Sequence, residues 1–230
     1  MSENHSVLIS VIIPTFNAAR YLTETLDSVL MQDWTSLEIL VCDDGSTDIS
    51  VEIARTFSSR VQVAQGEHRG LAATRNRGIR LSRGQMILHL DADDVLEPGA
   101  ISTLASGLTN AHDMVIGKFV SFISPDLPLE IASRYSVPTG PQSGHLSGTT
   151  LIRRTAFESY GLFDEEYGVG ADLAWCVNAE KCGIRNKRID SVVNRRRIHG
   201  SNMSLGNRKE WSASALRTVR AALQQRRTHA

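Results

Sequence analysis

Apolar residues arrive along this chain in short runs that stop at Asp, Asn or Pro. Val7 to Pro14 (VLISVIIP) is a β-branched run closed by proline, the pattern of a strand covered on both faces. Leu22, Leu26, Val29 and Leu30 then fall at helical spacing within Tyr21 to Met31. Leu37 to Cys42 (LEILVC) predicts a second strand, stopped by Asp43-Asp44-Gly45-Ser46, and Thr47 or Asp48 can cap a helix running to Ser58. Val61 to Ala64 predicts a third strand and Leu71 to Ser82 a third helix. A fourth strand follows, Met86 to Leu90 (MILHL), ending in Asp91-Ala92-Asp93-Asp94. A helix from near Pro98 and a strand over Met114 to Phe122 continue the alternation. Strands and helices in this order predict an α/β fold, a largely parallel sheet with helices on both faces.

The second half is less regular. Ser124 to Gly144 holds Pro125, Pro128, Pro138 and Pro141 with no clean period, so it reads as a loop. Beyond it the pattern predicts a strand at Thr149 to Ile152, helices ending at Tyr160 and spanning Asp172 to Lys181, a strand near Ser191 to Asn194, and a terminal helix over Arg208 to Gln225.

A length of 230 residues is that of one compact domain, 41% hydrophobic and 22% charged, which excludes disorder, collagen and coiled coil as descriptions of the whole. No run reaches the ~18 apolar residues of a membrane span. The start, Met-Ser-Glu-Asn-His, has neither the basic nor the apolar stretch of a secretory signal, and Cys42, Cys176 and Cys182 form no C-x-x-C pair. These features predict a cytoplasmic, reducing compartment. The net charge is zero, yet from Arg185 onward twelve basic residues face only Asp190 and Glu210, so this end carries +10 and the rest −10. The basic end is the candidate surface for a partner, peripheral membrane contact included, or a solvated helix with none.

In an open parallel sheet, ligands bind beyond the carboxyl ends of the strands. Three such ends carry Pro14-Thr15-Phe16-Asn17, Asp43-Asp44-Gly45-Ser46 and Asp91-Ala92-Asp93-Asp94. Any one of them is an ordinary turn sequence. Carboxylates after two apolar strands repel one another unless a cation or a hydrogen-bonding ligand sits among them. The chain has no G-x-x-x-x-G-K-[ST], no complete G-x-G-x-x-G, no H-E-x-x-H and no G-x-S-x-G. An EF-hand from Asp91 fails because Leu96 and Ser102 stand where Gly and Glu are needed. If phosphates are handled, magnesium or manganese on carboxylates must neutralise them.

The strings ISVIIPTFNAARYLTETLDSVLMQ, LEILVCDDGSTD and RGLAATRNRGIRLSRGQMILHLDADD resemble, in order and spacing, the nucleotide-binding half of family 2 glycosyltransferases, which have the GT-A fold. The likeness continues more weakly through Gly161-Leu162-Phe163-Asp164-Glu165, Gly170-Ala171-Asp172-Leu173 and Arg197-Ile198-His199-Gly200. The resemblance implies that Asp44 bonds the base of a nucleotide sugar, with Pro14, Thr15, Phe16 and Asn17 lining the same pocket. It implies that Asp91 lies near the ribose and that Asp93 holds a divalent metal, Mn²⁺ or Mg²⁺, with Asp94 a less certain member. Arg75-Asn76 matches the family's Arg-Asn, which makes Arg75 a donor-site candidate; a helix-surface salt bridge and cap is the plain alternative. The family's Glu-Asp motif falls on Ala171-Asp172, so Asp172 is the candidate catalytic base while its glutamate is missing. Asp164, Glu165 and Glu166 are nearby rivals. Around Arg195 to Ser204, three consecutive arginines cannot all be buried. The segment is expected to fold over the diphosphate, with His199 a second metal ligand and one or more of Arg195, Arg196 and Arg197 near the phosphates.

The implied reaction is an inverting, metal-assisted transfer of sugar from a nucleoside diphosphate, UDP favoured, to the hydroxyl of a saccharide, lipid-linked saccharide or small-molecule acceptor. Residues 1–100 are then the donor half, 101–207 the acceptor half and 208–230 a basic helix. Two other readings stand beside it. ILHLDADDVL also fits a haloacid-dehalogenase-like phosphatase with Asp91 as phosphoryl acceptor. That motif normally opens its domain, whereas about 85 residues precede it here. A non-enzymatic basic-tail module has only the charged end behind it, and without interleaved aromatics no nucleic-acid partner is expected.

Overall fold

The structure, a computed structural model, describes residues 7–144, 147–167 and 170–202. In chain order the elements are β1 (Ile9–Thr15), α1 (Leu22–Leu30), β2 (Leu37–Asp43), α2 (Ser50–Phe57), β3 (Val61–Gln65), α3 (Leu71–Leu81), β4 (Met86–His89) and β5 (Val95–Leu96). Then come α4 (Ala100–Gly107), β6 (Met114–Ile123), α5 (Leu129–Ala132), β7 (Gln142–Ser143), β8 (Thr150–Arg153), α6 (Arg154–Tyr160), α7 (Ala171–Lys181) and β9 (Asn186–Ile198). The sheet order is β3-β2-β1-β4-β8-β6-β9-β5, with β7 on the side of β6.

The four early strands are parallel, with Ile9 level with Leu37 and Met86. All seven residues of β1 are buried, which explains its unbroken apolar run. Alternate residues serve opposite faces. Val11, Ile13, Ile39 and Leu88 pack with Leu22 and Leu26 of α1 and Leu104 of α4, while Ile12, Leu40, Cys42 and Ile87 pack with Ile79 of α3, Phe157 of α6 and Trp175 of α7. Helices therefore cover both faces, as the alternation predicts. In the second half the long β6–β9 pairing is parallel and the short pairings of β8, β7 and β5 are antiparallel.

Two expectations change in detail. The strand near Ser191 is the centre of a thirteen-residue strand, β9. Its flanks, rich in Lys and Arg, hid it, because only Val193, Asn194, Arg197 and Ile198 along it are buried. The proline-rich stretch is mostly irregular, as expected, but carries the single turn α5 and the two-residue β7. The expected helix over Arg208 to Gln225 lies outside the described residues.

Gly78 lets α3 lie directly on the sheet: a Cβ there would come within 2.4 Å of Ile12 Cγ2 and 3.1 Å of Cys42 Sγ. Gly78→Ala gains about 1 kcal/mol of helix propensity. It loses roughly 1–3 kcal/mol to overpacking against a β-branched core residue. The net expectation is a destabilised protein with a lower urea midpoint; an equal or higher midpoint would mean that α3 can lift away from β1 without cost.

Candidate functional site

Because β2, β1 and β4 are neighbours, their carboxyl ends deliver the three polar loops to one rim. Asn17, in left-handed backbone at φ 49°, closes the first loop onto the second. Its Oδ1 accepts the N–H of Thr47 at 2.8 Å, and its own N–H donates to Ser46 Oγ at 2.9 Å. Pro14 and Thr15 are buried within β1, while the Phe16 ring stands half out of the surface. Asp44 is buried, and its carboxylate accepts the backbone N–H groups of Arg69 and Gly70, both at 2.9 Å. His68 Nδ1 reaches the same carboxylate at 2.9 Å, and the His68 ring stacks on Phe16 with centroids 4.3 Å apart. Sequence reasoning missed His68, since a histidine in an irregular loop carries no local signal.

The third loop is organised by cations and amides. Arg75 is not at a helix surface: its side chain is 3% exposed. Its Nη2 lies 2.9 Å from Asp91 Oδ1 and donates to Ser147 Oγ at 2.6 Å, and its Nη1 lies 3.5 Å from Asp172 Oδ2. One guanidinium thus links the loop after β4 to the first turn of α7. Burial, with the charges of Asp93 and Asp172, pushes the Asp91 carboxyl up from the ordinary carboxylate range against the pull of Arg75. Asn76 is also buried, and its amide pairs with both the N–H and the C=O of Phe163. Asn76 and Arg69 engage Glu165 at 3.0 and 3.3 Å, so this rival to Asp172 ties the 161–167 segment to α3.

Asp93 and His199 meet: Oδ2 and Nε2 are 2.7 Å apart, and Asn202 Nδ2 donates to the same oxygen at 3.2 Å. His199 lies just past β9, its ring against Tyr21 at a centroid distance of 4.7 Å. Asp94 turns inward. It accepts the Arg197 backbone N–H at 2.9 Å and Asn194 Nδ2 at 3.1 Å. Burial and the neighbouring Asp93 and Asp91 push it well above the usual carboxylate range. Of the three arginines, one or more of which was expected near the phosphates, Arg195 is exposed and Arg197 is buried, its Nε donating to the backbone C=O of Asp93 at 2.9 Å. Tyr21, Asn202 and the inward turn of Arg197 could not be read from local pattern, because each depends on a partner far away in sequence.

Among the described residues no group of three His, Cys, Asp or Glu side chains is placed to hold a metal. The Asp93–His199 pair, at 2.7 Å, brings together a carboxylate oxygen and an imidazole nitrogen, a donor set acceptable to manganese or magnesium.

Residues 10–166 match the family model described as Glycosyl transferase family 2. The chain is 37% identical over 126 residues to the glycosyltransferase GlyG of Streptococcus pneumoniae serotype 4, covering 53% of this chain and 42% of that protein. It is 38% identical over 209 residues to an Escherichia coli chondroitin synthase, covering 86% of this chain and 30% of that one. The crystal structure of S. aureus TarS 1-349 in complex with UDP-GlcNAc superposes with a TM-score of 0.69 at 23% identity, over 85% of this chain and 60% of that one. The chain therefore spans less than half the length of these two curated relatives.

Beneath Arg75, His89 sits edge-on to Phe157 and Phe163, with ring centroids 6.2 and 5.3 Å away. Burial, and then the Arg75 charge, hold its pKa well below the ordinary value. Unfolded, the same ring takes a proton below about pH 6.5. The sign follows: His89 stabilises the fold above that pH, and its contribution is lost as the pH falls through it. Stability should drop between pH 7 and 5 by less in His89→Phe than in the parent, measured by urea unfolding at each pH. Identical losses would remove His89 as a source of acid sensitivity.

Proposed function

The chain belongs to glycosyl transferase family 2, and from that premise we propose that it transfers a sugar from a nucleoside diphosphate donor to an acceptor hydroxyl, inverting the anomeric centre. The observation that carries this reading is Arg75, whose guanidinium draws Asp91 and Asp172 together although 80 residues separate them in sequence. UDP is the favoured nucleotide, because TarS, which shares the fold, is known in complex with UDP and with UDP-GlcNAc. Family 2 enzymes typically use a divalent metal. In this chain Asp93 and His199 would hold Mn²⁺ or Mg²⁺, which when bound neutralises the charge of the departing diphosphate.

The remaining roles fall to the chain itself. The exposed face of Phe16 offers a stacking surface for the base, with Asp44 and the loop of Pro14, Thr15 and Asn17 shaping that end of the donor site. Asp91 faces the ribose. Asp172 takes the acceptor proton as the hydroxyl attacks opposite the diphosphate, because a hydroxyl with a pKa far above 7 needs a base as it reacts. Arg75 fixes the orientation of that carboxylate. Ala171 is 2% exposed and packed in the core, so the absent glutamate leaves no gap, and acceptor placement falls to other residues. We assign residues 1–100 to donor binding and 101–207 to acceptor binding. The free cysteines Cys42, Cys176 and Cys182 support a cytoplasmic location, and no described helix is long and apolar enough to cross a membrane. The phosphatase alternative loses ground because Asp91, which would have to attack phosphorus, is engaged by Arg75.

Two variants test the reading. A general base is worth about 10²–10⁴ in rate, so Asp172→Asn should lower turnover of nucleotide sugar by that factor with UDP affinity nearly unchanged. Near-normal turnover would move the role to Glu165 or Glu166. Asp93→Ala should abolish metal-dependent turnover of nucleotide sugar while the thermal melt stays cooperative; full activity in chelator, or in that variant, would sink the metal assignment.

A further inference from the structure

Arg197 is a buried cation with an unusual set of partners. Its guanidinium carbon lies 4.8 Å from the Tyr21 ring centroid and 4.7 Å from that of Phe122. Its Nη2 pairs with Glu24 Oε2 at 2.5 Å, its Nη1 donates to Ser124 Oγ at 3.3 Å, and its Nε donates to the Asp93 carbonyl at 2.9 Å. The register explains why it reaches that carbonyl. β5 and β9 pair antiparallel, Val95 with Arg195 and Leu96 with Asn194. Carried two residues further, the same ladder sets Arg197 opposite Asp93. There the backbone N–H of Arg197 goes instead to the Asp94 carboxylate, and the guanidinium takes over the Asp93 carbonyl. Main-chain pairing gives way to side-chain pairing at the residue before which the Asp93 side chain must swing toward His199.

We propose that Arg197 is a positioning residue: held against Tyr21 and Phe122, it fixes the backbone of Asp93 so that the Asp93 carboxylate and the His199 ring share one side of the rim. This rests on the reading of Asp93 and His199 as the metal-holding pair. The same packing reaches His199 directly, since Tyr21 touches both the guanidinium and the imidazole. An aromatic face attracts a planar cation without competing for its N–H groups, so the fork of Arg197 stays free for directed hydrogen bonds. Lysine has a compact ammonium and no such fork, and methionine keeps the stem without the charge.

The test uses the full chain and two binding measurements without turnover: Mn²⁺ titration in the presence of UDP, followed by electron paramagnetic resonance, and UDP affinity in chelator. Arg197→Met should weaken Mn²⁺ binding at least tenfold, with metal-free UDP affinity within twofold of the parent. Unchanged Mn²⁺ binding overturns the proposal, as does an equal loss of UDP affinity in chelator, which marks a purely structural role. Where Arg197→Met lacks a cooperative melt, Phe122→Leu removes one face of the packing and leaves the arginine in place. It should weaken Mn²⁺ binding about threefold with the same selectivity, and parent-like binding there overturns the proposal. A parent protein that binds no Mn²⁺ with UDP fails at the metal assignment itself, an outcome visible before any variant is made.

Discussion

The arrangement turns on one constraint, the repulsion among carboxylates gathered at the carboxyl edge of the sheet. Asp91, Asp93, Asp94 and Asp172 converge there, and they are answered in three different ways. Arg75 lies in the core between Asp91 and Asp172. Arg75 is buried while both carboxylates keep part of their surface in water, so the pairs hold these groups in place more than they stabilise the fold. The cation therefore fixes where α7 begins relative to the loop after β4. Asp94 is answered by burial with two hydrogen-bond donors, and its raised pKa records how poorly that site suits a charge.

The mixed second half of the sheet serves the same rim. Parallel strands bring β1, β2 and β4 to it without help, since each crossover helix returns the chain to the opposite edge. His199 must come from far along the sequence. It does so on β9, which runs parallel to β6 for nearly its whole length and is flanked on its other edge by β5, paired antiparallel at Asn194 and Arg195. Gly117, where the register slips, permits that closeness: a Cβ there would lie 2.6 Å from Val193 Cγ2. The long β6–β9 ribbon is thus what brings His199 within reach of Asp93.

What could be read from the sequence follows the same physics. β1, β2 and β4 were legible because strands covered on both faces are apolar throughout, and Asp44, Asp91 and Asp93 were legible as strand ends. β9 was hidden because one side faces water and its polar residues look like loop. Of the arginine triplet, composition tells only that not all three can be buried. Which one turns inward depends on the rings of Tyr21 and Phe122, and no local pattern reports contacts with residues 176 and 75 positions away. Asn76 is a similar case, since its bonds to Phe163 give it a structural task that its position in a family-like string did not reveal.

The two halves of the rim differ in the permanence of their charge balance. Asp91 and Asp172 share a guanidinium that is buried and cannot lose its proton. Among the described residues, the partners of the Asp93 carboxylate are a ring nitrogen of His199 and the carboxamide of Asn202. Hydrogen bonds of that kind orient a carboxylate without cancelling its charge as a cation at contact distance does. The Asp93 end of the rim is accordingly where the proposed divalent cation would gain most, beside the diphosphate of the proposed donor. A permanent cation at the proposed proton-accepting end and an exchangeable one at the proposed leaving-group end match the two demands of the reaction. The base must keep one orientation through every turnover, whereas the charge on the leaving group arrives with the donor and departs with the product.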